Sequence, residues 1–181
     1  ADALRQARNS DGRPLVQSEQ ELLPHRIDPE PKEFPRRWWP WLLCGLAIAA
    51  GVLALRNRPR LLAGLGLPLW LLCAVAGGLL VFLWGFSTHY AAWANRNLLL
   101  LSPLCVLLLP GAVRLLRRRP PGRMFTVVLW LVALQALAAL VLHWLSLQAQ
   151  YNVQWIVLLL PIHAALAWVL GRDRHLSDTR H

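Results

Sequence analysis

From Trp38 to Leu170 the chain alternates long apolar runs with short polar ones. The runs cover 38–55, 61–85, 98–116, 124–147 and 153–170. A membrane span takes roughly 17–25 mostly apolar residues, each rising about 1.5 Å. All five runs reach that length, the first and fifth only just. Pro68, Pro103, Pro110 and Pro161 lie inside runs, where the missing N–H is expected to kink a helix locally. Small residues recur at helical spacing in the pairs Gly45/Ala49, Ala47/Gly51 and Ala74/Gly78, which would let helix backbones approach. The pattern predicts an all-α integral membrane protein, a bundle of five transmembrane helices. The longest polar and aromatic interruption is Trp84-Gly-Phe-Ser-Thr-His-Tyr-Ala-Ala-Trp-Ala-Asn-Arg-Asn97.

Composition sharpens this picture. The chain is 56% hydrophobic and 15% charged, with a mean hydropathy of +0.41; a soluble domain carries about 25% charge. No Asp or Glu occurs between Glu33 and Asp173. Ion-coupled carriers usually rely on carboxylates within the bilayer, which argues against that class. The membrane part also has no His-Glu-x-x-His zinc motif, no nucleophile elbow and no acid to complete a Ser-His-Asp triad. A convincing catalytic set is missing, and neither metal nor cofactor is expected.

The net charge of +10 does not signal nucleic-acid binding. Eleven arginines cluster at 56–60, 114–123 and 172–180, whereas the alternate connections hold only Arg96. That asymmetry follows the positive-inside rule, placing the first group in the cytoplasm. The N-terminus is then outside and the C-terminus inside, in a multi-pass membrane protein whose partners are membrane lipids. Arg36 and Arg37 oppose this count, as a preceding exported domain permits. Trp38, Trp39, Trp41, Trp84, Trp93, Trp144 and Trp155 all fall near the expected outer surface, where indoles concentrate.

Residues 1–37 differ, with seven Lys/Arg and seven Asp/Glu. Asp2–Asn9 reads as a short helix stopped by the turn Asn9-Ser-Asp-Gly12. Four prolines between Pro24 and Pro35 read as an extended linker. The chain starts at Ala1 without a leader, so it is read as the C-terminal piece of a longer protein: 1–37 the end of a periplasmic domain plus linker, 38–172 the membrane domain, 173–181 a cytoplasmic tail.

Two polar segments share the expected outer face, one ending at Asn97 and one spanning Gln148–Gln154. His89, Asn95 and Asn97 are the candidates for chemistry; Trp84, Trp93, His143, Gln150 and Asn152 are the candidates for facing lipid or substrate. Simpler roles stand beside these. Asn97 would N-cap the third helix and Asn152 the fifth. Gln148 and Gln154 would face headgroups, and His143 would bond between helices. His163 and Gln135 would serve packing. Cys44, Cys73 and Cys105 read as buried, inert thiols. Axial haem ligation by His89 and His143 is the cofactor alternative.

The stretch Phe86-Ser-Thr-His-Tyr, Asn95-Arg-Asn97-Leu-Leu and Ser102-Pro-Leu104 resembles the five-helix membrane domain of the Lnb family of bacterial lipoprotein N-acyltransferases. Gln150-Tyr-Asn152 fits the same family, and Asp11-Gly-Arg-Pro-Leu-Val16 resembles the end of its periplasmic domain. The resemblance implies that a periplasmic Cys/His domain precedes this region and carries the catalytic Cys. The implied role here is to anchor that domain and to present a phospholipid acyl donor or a lipoprotein; the alternative is an anchor with no catalytic contribution. The family often has an acid before its membrane-domain histidine, where this chain has Thr88.

Overall fold

A computed structural model describes residues 7–14, 16, 37–87, 95–145 and 151–172. The chain divides into two compact units, Ala1–Arg36 and Arg37–His181.

In the first unit the expected turn is present. Asn9 donates its N–H to Arg13 O and its carbonyl accepts from Gly12. Its side-chain oxygen accepts from the N–H of Asp11 at 3.1 Å and of Arg13 at 2.8 Å. Gly12 takes φ +77°, and a backbone bridge pairs Arg8 with Pro14. The bridge corrects the expected helix at its end: residues 7–9 are not helical, because Asn9 bonds forward into the turn. Residues 2–6 and the proline-rich stretch lie outside the described residues.

The described part of the second unit is helical: α1 (Trp39–Ala54), α2 (Pro59–Phe86), α3 (Leu109–Leu116), α4 (Arg123–Trp144) and α5 (Val153–Arg172). Four segments are long and apolar enough to cross a bilayer: Pro59–Phe86, Arg96–Leu116, Arg123–Trp144 and Val153–Arg172. α1 has 16 residues, about 24 Å at helical rise, short of a hydrocarbon core of roughly 30 Å. Proline starts helices as well as interrupting them. Pro40 lies in the first turn of α1 and Pro59 opens α2, where the absent N–H has no intrahelical partner to lose. α2 and α5 run on through Pro68 and Pro161.

The third apolar run, expected as a span at 98–116, is long enough to cross but is not one α-helix. It begins with a 3₁₀ turn at Arg96–Leu99, continues as a 3₁₀ segment at Pro103–Leu108 and becomes α-helical only at Leu109. Ser102 sets the break. Its hydroxyl accepts the Leu104 N–H at 3.2 Å, and its carbonyl takes the Cys105 N–H at 3.0 Å, the i→i+3 bond of the tighter helix. Pro103 then fixes the first 3₁₀ position, and Pro110 cannot donate back to Val106.

Close backbone approaches hold the bundle. α1 and α5 run parallel: Trp41 lies tilted against Trp155, with ring centroids 6.1 Å apart, and a methyl at Gly45 would lie 2.6 Å from Leu158 O. Gly77 of α2 lies against Leu101 O and Pro103 with no room for a side chain. The main core gathers Leu62, Trp70, Leu108, Phe125, Val132 and Leu166, with Trp70 edge-on to Phe125 at 5.6 Å. A smaller cluster of Leu100, Ala136, Ala139, Ile156 and Leu159 lies toward the ends of α4 and α5 that face the Asn95 turn. The outer surface stays apolar, with Leu65, Leu72, Val75 and Phe82 all more than half exposed. That is the face a helix shows to lipid rather than to water.

Candidate functional site

The site lies where the 3₁₀ turn at Arg96–Leu99, the end of α4 and the start of α5 meet. Asn95, not Asn97, is the cap: its side-chain oxygen accepts the Asn97 N–H at 3.0 Å. This frees the Asn97 side chain from the capping role expected for it. Its Oδ1 instead accepts from Asn152 Nδ2 at 3.0 Å, joining the two polar segments across 55 residues. Asn152 directly precedes α5, and its carbonyl takes the N–H groups of Trp155 and Ile156. Asn152 is only 3% exposed. A buried amide in apolar surroundings has to be paired, and Asn97 provides the pairing.

Arg96 completes the junction. Its guanidinium donates to Leu142 O at 2.9 Å in the last turn of α4. Carbonyls of a last turn lack intrahelical donors, and a cation there also meets the negative end of the helix dipole. Charge counting marked Arg96 only as the lone arginine of its side; its tertiary bond was not legible. His143, the next residue after Leu142, is half-buried. Trp84 lies exposed near the end of α2. His89, Trp93 and Gln150 lie outside the described residues.

Beside the asparagine pair is a cavity of about 30 Å³ lined by Asn97, Leu100, Leu101, Trp155 and Leu159. That volume admits a small polar group of about the size of one or two waters. With its oxygen turned to Asn152, the Asn97 amide has its two N–H donors on the other edge. Asn97 is the polar part of this lining, and the rest is hydrocarbon and indole. Trp38, Trp39 and Trp144 are exposed at the same end of the helices. The arrangement offers the Asn97 N–H donors to a small polar group, with apolar side chains beside them.

The remaining cysteines and histidine lie elsewhere. Cys44 is exposed, correcting the expectation that all three thiols are buried. Cys73 and Cys105 are buried, and Cys73 meets both Cys105 and His163 in the core. His163 packs at 2% exposure, with Nε2 lacking a hydrogen-bond partner among the described residues. Among those residues, no three His, Cys, Asp or Glu side chains are placed to hold a metal ion.

A protein-family model described as the Lnb transmembrane domain matches residues 35–174. No curated protein and no solved structure matches the chain. The matched range takes in all five helices and the asparagine junction. A multi-pass membrane protein with this range of match belongs to the Lnb transmembrane-domain family.

Proposed function

We propose that this chain is the membrane domain of a lipoprotein N-acyltransferase in the bacterial inner membrane, with its N-terminus periplasmic and its C-terminus cytoplasmic. It anchors a periplasmic catalytic domain and presents the phospholipid acyl donor to it at the outer leaflet. The catalytic nucleophile belongs to that preceding domain. The acyl group leaves its ester as a lysophospholipid is released, and the lipoprotein's terminal amine takes the acyl group and gives up a proton. Family membership supports the reading. The observation that carries it is the Asn97–Asn152 bond beside a small, mostly apolar cavity at the tryptophan-rich end. Hydrogen bonds from Asn97, with His89 and Asn95 nearby in sequence, orient the ester; holding a reactant in place lowers the barrier without any chemistry on these side chains.

Complementation of lipoprotein N-acylation by the full-length protein tests it. Asn97→Ala and His89→Ala are each expected to cut the rate at least tenfold with membrane insertion intact, the scale of a lost orienting contact. Wild-type rates in both would remove the presenting role and leave the five helices as an anchor. Exchange for an unrelated membrane anchor separates the same two readings, since a pure anchor tolerates it.

A further inference from the structure

The opposite end of the membrane unit carries a concentrated charge. Nine exposed arginines gather there, three around the α1–α2 turn, five around the α3–α4 turn, and Arg172 at the end of α5. No Asp or Glu occurs in the sequence between Glu33 and Asp173. The two turns are neighbours, because a side chain at Gly64 would meet Leu116 at 3.7 Å. Arg172 lies 3.9 Å over the Trp168 ring, which ties that cation to the apolar surface.

The α3–α4 turn shows a conflict between backbone and side chain. α3 ends with Arg119 N–H bonded to Arg114 O at 2.8 Å and Arg118 N–H to Leu115 O at 3.1 Å. This is the helix ending whose left-handed residue is usually glycine. Here that residue is Arg118, at φ +61°, the one non-glycine with positive φ among the described residues. Four residues on, Gly122 takes φ +92° without strain. A left-handed arginine is disfavoured by its Cβ, so this turn holds a charged side chain against the local backbone preference. Strain of this kind gathers at binding sites.

We propose that the α3–α4 turn, through Arg114, Arg118, Arg119 and Arg123, binds the phosphate of an anionic phospholipid headgroup. Guanidinium groups match phosphate oxygens in bidentate pairs. They sit at the end of the apolar helices, where headgroup phosphates lie. A phosphatidylcholine headgroup brings its own cation into the cluster, whereas phosphatidylglycerol does not. The site is remote from the asparagine junction and stands whether or not acyl transfer is the reaction.

The test is electron spin resonance of the full chain in nanodiscs of phosphatidylcholine with one part in four phosphatidylglycerol. It compares motionally restricted spin-labelled forms of each lipid. Each basic residue near an anionic headgroup raises association about fivefold at most. The wild type is expected to favour phosphatidylglycerol at least threefold, less so at high salt. R114Q/R118Q/R119Q/R123Q is expected to lower that preference at least twofold, the five remaining arginines of this end keeping the rest. Should that variant fail to reconstitute, R118G carries the test: it removes one charge while relieving the backbone, so preference falls as thermal stability rises. Control R37Q, at the far end, leaves the preference intact. Equal association of both lipids with the wild type overturns the proposal. So does undiminished preference in R118G or the quadruple variant, or equal loss in R37Q.

Discussion

At the residue scale the asparagine pair is the most demanding contact in the membrane unit. Asn97 and Asn152 meet amide to amide at 3.0 Å, with Asn152 almost wholly enclosed. Two magnitudes bear on its worth. An unsatisfied buried amide costs about 1–3 kcal/mol, but polar pairs between membrane helices average about 0.6 kcal/mol, because the unfolded chain finds other partners in lipid. The smaller figure applies to the coupling and the larger to the orphaned group. Asn97→Leu is therefore expected to destabilise by about 1–2 kcal/mol in detergent unfolding, leaving the Asn152 amide unpaired. The double replacement with Asn152→Leu is expected to cost less than the sum of the singles. Additive losses would mean that the two amides do not act together. Asparagine was legible here as a cap, since both positions precede helix-forming runs. The tertiary pairing was not, because nothing in local sequence says that Asn95 takes the capping role and leaves Asn97 free to cross 55 residues.

At the element scale, two adjacent glycines of α2 make opposite predictions. Gly77 is pressed against the Leu101 carbonyl and Pro103, whereas a side chain at Gly78 meets nothing within 4 Å. Overpacking a tight contact costs about 1–3 kcal/mol. Gly77→Leu is thus expected to lower the unfolding midpoint in detergent markedly, and Gly78→Leu to leave it near wild type. Equal effects would show that helix propensity, not the α2 contact, is being measured. Small-residue spacing read only one face correctly. Gly45 and Ala49 do pack, but Ala47, Gly51 and Gly78 are exposed. In a helix that is apolar all round, periodicity cannot mark which side has a neighbour. The five apolar runs were legible because length and charge exclusion do not depend on facing. The switch from 3₁₀ to α in the third run was only half legible. Ser102-Pro103 and Pro110 announce an irregularity, but a proline kink and a 3₁₀ segment share that signature.

For the whole molecule, the helix ends have sharply different chemistry. One end holds Trp38, Trp39, Trp84, Trp144 and Trp155, the asparagine junction and Arg96; the other holds nine exposed arginines. The basic end is expected in the cytoplasm, since arginine resists translocation and short loops follow their charge. Orientation decides whether the asparagine junction can serve a periplasmic partner at all, so it is the assumption on which the proposed function rests most heavily. It can be measured with few changes. Cys44 is the exposed thiol among the native three, whereas Cys73 and Cys105 are buried. A Cys44→Ser background therefore leaves little that a polar maleimide can reach. Tyr151→Cys reports the asparagine end, where the native residue is exposed, and Asn57→Cys reports the arginine end in the α1–α2 turn. In spheroplasts the first is expected to label with an impermeant maleimide and the second only after permeabilisation. The reverse pattern would place Asn97 and Asn152 in the cytoplasm, out of reach of any periplasmic domain, and the presenting role would fall with it. The arginine site would survive that result unchanged, because anionic headgroups can meet it from either leaflet.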